Sequence, residues 1–129
     1  MKYIKKAGML LACSLSLFAC KKDDHHNVSP EGSIMIHSPE TGSKYQTGDT
    51  VHIHATLRAN MQLHGYNAYI FNSAGDTLFS KSEHAHENEL EVHEKWVSTS
   101  ATANLRLLIT TALDHHGNNL EKTQVFNLN

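Results

Sequence analysis

The chain has 129 residues, of which 40% are hydrophobic and 19% charged, and its formal charge is −2. This length and composition indicate one globular domain with short additional segments. Two cysteines exclude a disulfide-rich miniprotein, and the lack of a basic excess argues against a nucleic-acid partner. The unusual residue is histidine, because eleven histidines equal the sum of lysine and arginine. Histidine is the residue best suited to metal binding and proton exchange near neutral pH.

Residues 1–19 predict a secretory signal peptide. Three lysines precede an apolar segment, residues 7–18, that is too short to cross a bilayer, which needs about 20 residues. The motif Leu17-Phe18-Ala19-Cys20 follows, and it resembles the lipobox of bacterial lipoproteins. The resemblance implies that residues 1–19 are removed and that Cys20 carries acyl chains such as palmitate, which anchor the protein in a membrane.

Processing of this kind changes the chemistry that the chain can perform. Removal of residues 1–19 leaves 110 residues with 8 Lys plus Arg, 13 Asp plus Glu and a formal charge of −5. Cys13 is lost with the signal, and lipidation occupies the thiol of Cys20. Any metal ion must then be held by nitrogen and oxygen donors. All eleven histidines remain in the processed chain.

Residues 20–32 predict a flexible tether. Lys21-Lys22-Asp23-Asp24 directly follows the lipobox and looks like the acid-rich tether of Bacteroidota-type lipoproteins. This likeness implies attachment to the outer membrane with display on the cell surface, and the periplasmic face of the same membrane is the alternative. An ordinary solvated linker has the same polar composition.

Residues 33–129 predict an all-β domain, because apolar residues recur with a period of two and no stretch sustains a helical period. In residues 51–57 this alternation directs apolar side chains to a core and His52 and His54 to the outer face. Including it, seven strands are predicted, at residues 34–36, 51–57, 66–71, 77–80, 90–97, 105–113 and 120–128. The longest apolar run, 105–113, is expected to be a central strand. Seven short strands favour an antiparallel immunoglobulin-like or fibronectin type III-like β-sandwich, and a small barrel is the alternative.

Two turns add a family resemblance. Asp114-x-x-Gly117-Asn118 looks like the closing turn of bacterial immunoglobulin-like repeats, and Ser38-Pro39-Glu40-Thr41-Gly42, followed by Gly48-Asp49, looks like their opening segment. Together with the lipobox, most of the chain resembles the small Bacteroidota-type lipoproteins that carry a single immunoglobulin-like domain of unassigned function. These motifs describe fold and turns, so they imply no activity.

Antiparallel connectivity predicts that five histidines gather at one end of the sandwich. The connections 58–65, 81–88 and 114–118 each follow a strand that runs towards the same end. Their histidines are His64, His84, His86, His115 and His116, and Glu83, Glu87 and Asp114 lie beside them. Imidazole and carboxylate groups bind Zn²⁺ and Cu²⁺, so a Zn or Cu ion is expected here. Any one of these histidines, taken alone, is better explained as a solvated turn residue.

A second candidate metal site lies on a sheet face. His52 and His54 point the same way and are about 7 Å apart. In this fold their strand pairs with 90–97, whose polar face carries Glu91 and His93. The four side chains could share one ion, and an exposed polar ladder is the alternative. His37 and the tether pair His25-His26 are weaker candidates.

The sequence favours a binding protein over an enzyme, because it contains no nucleophile motif and no phosphate-binding glycine loop. The leading hypothesis is a lipid-anchored envelope protein that captures or buffers Zn or Cu through its loop histidines. The alternative is an interaction module for a glycan or an envelope protein. Trp96, Tyr66 and Tyr69 offer a sugar-stacking surface, although a single Trp in a sandwich commonly packs in the core. A metalloenzyme with an open ligand position, such as a superoxide-type copper site, is a third hypothesis.

Overall fold

The computed structural model describes residues 28–99 and 104–129. The predicted signal peptide, Cys20, His25 and His26 lie outside the described residues. Eight strands make up the described elements: β1 Gly32–Ser38, β2 Lys44–Tyr45, β3 Thr50–Leu63, β4 Tyr66–Asn72, β5 Thr77–Glu83, β6 Glu87–Val97, β7 Asn104–Ala112 and β8 Asn119–Leu128. In these two ranges, no helix has the length and hydropathy that a membrane crossing requires.

The strands form two separate sheets, which confirms the predicted sandwich over the barrel. One sheet has the order β1-β3-β6 and the other β2-β8-β7-β4-β5. All pairs are antiparallel except the short pair of β2 with β8. The apolar run at residues 105–113 supplies β7, the middle strand of the larger sheet, as predicted.

The core lies between the two sheets and follows the period of two. In β3, Val51, Ile53, Ala55 and Leu57 are fully or almost fully buried, while the residues between them face outward. Burial of one such side chain contributes about 1.5–3 kcal/mol. Burial of the inward residues therefore also determines which residues of β3 face outward. A shift of the strand register by one residue would move every side chain to the opposite face.

Four strands, β1, β3, β5 and β6, extend clearly further than the sequence predicted, and β2 was not predicted. β3 continues to Leu63, which shortens the predicted 58–65 connection to His64 and Gly65. β5 continues to Glu83 and β6 begins at Glu87, which together shorten the predicted 81–88 connection to residues 84–86. Polar residues on the outer face and a register shift between Arg58 and Leu63 obscured the alternation there. The two-residue strand β2 is too short to give a periodic signal.

Candidate metal-binding sites

The outer face of the three-stranded sheet carries a row of histidines, one from each strand. The register of β3 with β6 places His54 opposite His93 and Thr56 opposite Glu91. On the other side of β3, β1 has a register shift between Ile36 and Ser38. His37 lies at this shift, and its ring contacts the ring of His54. Directly opposed side chains on one sheet face are neighbours, so this register alone brings the groups together. We call His37, His54, Glu91 and His93 the sheet-face cluster.

The rings of the sheet-face cluster are in contact. The ring centroids of His37 and His54 are 4.7 Å apart, and those of His54 and His93 are 4.4 Å apart with the planes inclined by 20°. His54 Nε2 lies 3.0 Å from Glu91 Oε2. Since a carboxylate can only accept, His54 Nε2 is the donor in this hydrogen bond.

Thr56 joins the two ends of the cluster. Its hydroxyl donates to Glu91 Oε1 over 2.8 Å, and its oxygen lies 2.8 Å from His37 Nε2. A hydroxyl carries one proton, so His37 Nε2 is the donor in the second contact. The hydrogen bonds from Thr56 and His54 lower the pKa of the Glu91 carboxyl, and attraction to the His54 and His93 rings adds to the effect. Glu91 is therefore anionic near neutral pH.

This geometry is close to that of a metal site. Ligand atoms of His54, Glu91 and His93 all lie within 4.8 Å of one another. Bonds of 2.0–2.2 Å in a tetrahedral zinc site place ligand atoms about 3.3 Å apart, so small side-chain rotations would close the site. The His54 and Glu91 side chains are each 41% exposed, which leaves them accessible to an ion. Within residues 28–99 and 104–129, no other three such ligand atoms converge as closely.

The sheet-face cluster differs from the predicted sheet-face set by one exchange. His52 is exposed and lies opposite Lys95, one row further along the sheet, so it does not join the other three. His37, the weaker candidate, does join them. Its outward position follows from the alternation in β1, but its place beside His54 required the register of β1 on β3, which the sequence does not display.

Four of the five histidines predicted at the end of the sandwich also meet. The ring centroids of His64 lie 4.5 Å from those of His115 and 5.2 Å from those of His86, and the His84 and His86 centroids are 4.5 Å apart. Nε2 of His84 and Nε2 of His86 are 2.9 Å apart. We call these four residues the end cluster. The fifth, His116, is exposed and makes no ring contact in the described residues.

Each ring of the end cluster is held near the end of a strand. His64 and Gly65 connect β3 to β4, and His84 and His86 flank Ala85, which packs against the core between β5 and β6. The pKa of the His64 imidazole is lowered, mainly because the ring is half-buried. Repulsion from the other three rings is the second cause. His64 is therefore neutral near pH 7, which is the form that binds metal.

Two of the three carboxylates predicted beside these histidines make other contacts. Asp114 Oδ1 accepts hydrogen bonds from the backbone N–H groups of His116 and Asn118, so it shapes its own turn. Glu83 Oε2 lies 3.5 Å from the Tyr66 hydroxyl, which donates to Glu94 Oε1 over 2.9 Å. Burial and these two carboxylates raise the pKa of Tyr66. Glu87 is exposed at the start of β6.

A cavity of about 330 Å³ opens beside the end cluster. Its wall is formed by His64, Gly65, Tyr66, Asn67, Ser82, Glu83, His84, Thr111 and Ala112. Two members of the end cluster, His64 and His84, thus face a space large enough for water and small solutes.

The predicted sugar-stacking surface is not formed. Trp96 is 8% exposed and Tyr66 is 6% exposed, so both pack in the core. Tyr69 is half-buried and its ring lies 5.8 Å from that of Phe71. The three aromatic rings proposed from the sequence therefore do not form one exposed platform.

Comparison with known proteins supports the fold. No protein-family model matches the chain, and no curated protein matches it by sequence. It is similar to an engineered protein (TM-score 0.58, 13% identity), covering 77% of this chain and 20% of the other. It is also similar to the fibronectin(III)-like modules of Clostridium thermocellum CbhA (TM-score 0.51, 15% identity), covering 75% and 46%. The chain thus spans about a fifth of the first protein and under half of the second.

A third solved structure is a CARDB domain from Pyrococcus furiosus, determined in complex with di-metal ions. Its TM-score to this chain is 0.50 with 10% identity, and the match covers 78% of this chain and 89% of that one. At these identities the likeness concerns the fold alone. The three solved structures therefore agree with the two-sheet architecture and do not bear on the histidine clusters.

Proposed function

We propose that this protein binds a divalent transition metal ion, Zn²⁺ or Cu²⁺, on the outer face of its three-stranded sheet. The observation that carries the proposal is the convergence of His54, Glu91 and His93, whose ligand atoms lie within 4.8 Å of one another. Two imidazoles and one carboxylate are a donor set that both ions accept. His37 is placed to act as a fourth ligand or to hold the cluster through Thr56.

The surroundings of the three ligands support the same proposal. Thr56 donates to one oxygen of Glu91, and this is the kind of outer contact that orients a ligating carboxylate. The ligands stand on two paired strands, so their backbone positions are fixed before any ion arrives. The di-metal complex of the Pyrococcus furiosus CARDB domain is a precedent for metal ions on a domain of similar fold.

The site can serve capture or buffering of the ion. The donor atoms are open to solvent, and neither of the two described cavities is lined by a residue of the sheet-face cluster. An exposed site on a preformed sheet exchanges its ion readily with the surroundings. We propose a metal-binding role for this face, at the outer membrane and anchored through Cys20, with the cell surface favoured over the periplasmic side.

Metal titration of paired variants tests the proposal. The tag-free protein from residue 28 onward contains both sheets and the described core, and it omits His25 and His26. Stripped of metal, it is titrated with Zn²⁺ and Cu²⁺ by calorimetry beside the double variant His54→Ala/His93→Ala. Both proteins also carry His84→Ala/His86→Ala, so that the end cluster does not contribute to the signal. We expect a stoichiometric, submicromolar site in the parent, with affinity at least 100-fold weaker at that site in the variant.

The matched control is His52→Ala, which removes an exposed histidine from the same strand and face. It should leave the affinity unchanged, because His52 lies outside the cluster. Equal affinity in the parent and the double variant would refute the sheet-face site. Weak uptake by every form would favour the alternative, an interaction module for a glycan or an envelope protein, and would direct the search to such partners.

The membrane anchor has its own test. Cys20→Ser removes the thiol that lipidation requires, so the protein should move from the membrane fraction to the soluble fraction of the producing cells. The control is Cys13→Ser, which lies within the predicted signal peptide and leaves Cys20 intact. Membrane attachment of the Cys20→Ser protein would overturn the lipidation assignment and leave the metal site unaffected.

A further inference from the structure

We propose that the end cluster, His64, His84, His86 and His115, forms a second transition-metal site that uses imidazole ligands only. This site is independent of the sheet-face cluster, with which it shares no residue. The observations behind it are the ring contacts among four histidines from three separate connections and the short distance between two of their nitrogens.

The distances fit imidazole ligation. The Nε2 atoms of His84 and His86 are 2.9 Å apart, as in an N–H···N hydrogen bond. Neighbouring ligands on one ion, with metal–nitrogen bonds of 2.0–2.1 Å, are about 3 Å apart in square-planar and about 3.3 Å apart in tetrahedral geometry. An ion can therefore bind both nitrogens at nearly this spacing, once the two rings turn so that both lone pairs point at it.

The other two rings are connected to this pair through ring contacts. His64 contacts both His86 and His115, so it joins the hairpin histidine to the pair. His84, His86 and His115 are exposed and stand on short connections. Rotation of these side chains can bring a third and a fourth nitrogen to the ion without moving a strand.

The absence of carboxylate ligands sets the chemistry of this site. Asp114 is engaged by the N–H groups of its own turn, Glu83 lies beside Tyr66, and Glu87 is exposed at the start of β6. Imidazole nitrogen suits Zn²⁺, Cu²⁺ and Ni²⁺, whereas Mg²⁺, Ca²⁺ and Mn²⁺ prefer oxygen donors. The end cluster is therefore selective for the first group, while the sheet-face cluster offers an oxygen ligand as well.

Metal binding here would join the two sheets. His64 stands between β3 of one sheet and β4 of the other, and His84 and His86 stand between β5 and β6, which also belong to different sheets. His115 adds the β7–β8 connection. The cavity of about 330 Å³ beside His64 and His84 provides an access path for the ion. Because an ion held by these four residues binds only the folded protein, it raises the melting temperature.

Counting bound ions per chain tests this site separately from the sheet-face site. The metal-free protein from residue 28 onward is dialysed to equilibrium against Zn²⁺ or Cu²⁺, and bound metal is measured by elemental analysis. We expect two ions in the parent, one in His84→Ala/His86→Ala and one in His54→Ala/His93→Ala. His116→Ala, the matched control on the same end, should retain two. Saturating Zn²⁺ should raise the melting temperature of His54→Ala/His93→Ala by about 5–10 °C.

Two ions bound by the His84→Ala/His86→Ala protein would overturn the end-cluster site. A single ion in the parent that disappears in His54→Ala/His93→Ala would also overturn it, and the sheet-face proposal would stand. A single ion that disappears only in His84→Ala/His86→Ala would support the end cluster and refute the sheet-face site. If circular dichroism shows that His84→Ala/His86→Ala does not fold, the single variant His115→Ala tests the end cluster instead. We expect it to lose at least tenfold in affinity at the end cluster and to keep its affinity at the sheet-face cluster.

Discussion

The two histidine clusters of this protein differ in what holds their side chains together. In the sheet-face cluster, the ladder pairs His54 with His93 and Thr56 with Glu91, so hydrogen bonds between strands determine the spacing. In the end cluster, four rings project from three connections, and their spacing depends on where each strand stops. The first cluster contains a carboxylate with both oxygens hydrogen-bonded, and the second contains imidazoles only.

This difference shows how a small sandwich can build two sites of different character from one residue type. Paired strands hold the Cβ atoms of opposed residues about 5 Å apart, so the geometry of the ligands is set before an ion binds. Short connections offer less rigid positions, so an ion does part of the ordering. We therefore expect substitutions in the connections to affect the end cluster alone, and substitutions on the sheet to affect the sheet-face cluster alone.

The largest expected effect comes from Gly65→Ala, which should impair the end cluster. Gly65 has a φ of +102°, and an added Cβ would overlap the backbone carbonyl of Glu83. Backbone strain of this kind costs about 1–3 kcal/mol, and displacement of the adjoining strand adds to it. We expect the free energy of unfolding in urea to fall by about 3 kcal/mol. Zinc affinity at the end cluster should fall at least tenfold.

The control for this change is Gly75→Ala in the β4–β5 hairpin. Gly75 has a φ of +89°, but no atom lies within 4 Å of the position of an added Cβ. Its cost should be about 1 kcal/mol, with both clusters unaffected. Equal destabilisation by the two substitutions would show that the contact of Gly65 with β5 does not hold the connection in place.

A medium effect is expected from Thr56→Val on the sheet-face cluster. Valine fits the strand but removes the hydroxyl that donates to Glu91 and accepts from His37. The pKa of Glu91 should rise towards its ordinary value, and metal affinity at this face should fall about tenfold, as is typical when an outer contact of a ligand is lost. Calorimetry with Zn²⁺ measures the loss, using His84→Ala/His86→Ala as the background so that a single site remains.

The control is Thr50→Val, on the same strand and the same exposed face but opposite Val97. It should leave the affinity as it is. If Thr56→Val leaves the zinc affinity unchanged, the pairing of β3 with β6 is sufficient to orient Glu91 without the Thr56 hydrogen bond. The two clusters would then differ even more in how their ligands are held.

The smallest effect is expected from Arg58→Gln, one row away from Glu91. Arg58 Nε and Nη2 donate to Glu89 over 2.7 and 3.2 Å, and this hydrogen-bonded pair lowers the pKa of the Glu89 carboxyl. Both side chains are mostly exposed, so solvent screens the pair. Loss of the arginine should raise the pKa of Glu89 towards its ordinary value, as measured by NMR titration of the carboxyl carbon.

The sign of the pH effect follows from the direction of that shift. A carboxyl whose pKa is lowered by folding stabilises the protein above its ordinary pKa, and this contribution disappears as the pH falls through the lowered value. The parent and Arg58→Gln proteins should therefore differ in melting temperature only at pH values above that range, and only slightly. A large difference at neutral pH, or a change in zinc affinity, would show that this row is coupled to Glu91.

Much of the sheet-face cluster could be predicted from the sequence, because the alternation in residues 51–57 fixes which way His54 points. The pairing of this strand with 90–97 followed from the predicted fold, and the structure confirms it. The sequence does not predict that His37 belongs to the cluster, because the neighbours of His37 depend on the register of β1 on β3. It wrongly predicts that His52 belongs to it, because spacing along one strand does not show which residue lies opposite on the paired strand.

For the end cluster, chain order predicted which connections share an end, and the structure brings four of the five histidines together there. The exclusion of His116 and of the nearby carboxylates could not be predicted. Asp114 accepts hydrogen bonds within its own turn and Glu83 lies beside the core residue Tyr66, while the His116 side chain is exposed. Such competing contacts have no signature in residue spacing.

The sequence by itself determined the all-β class, the inward and outward faces of the main strands and the central place of residues 105–113. Local alternation encodes these features because burial of one face stabilises one orientation of a strand. Only the tertiary structure decided which histidines touch, since that depends on the register between strands distant in sequence and on where β3 and β5 end. Both are settled by the packing of two sheets around a shared core, and no segment of the chain carries that information alone.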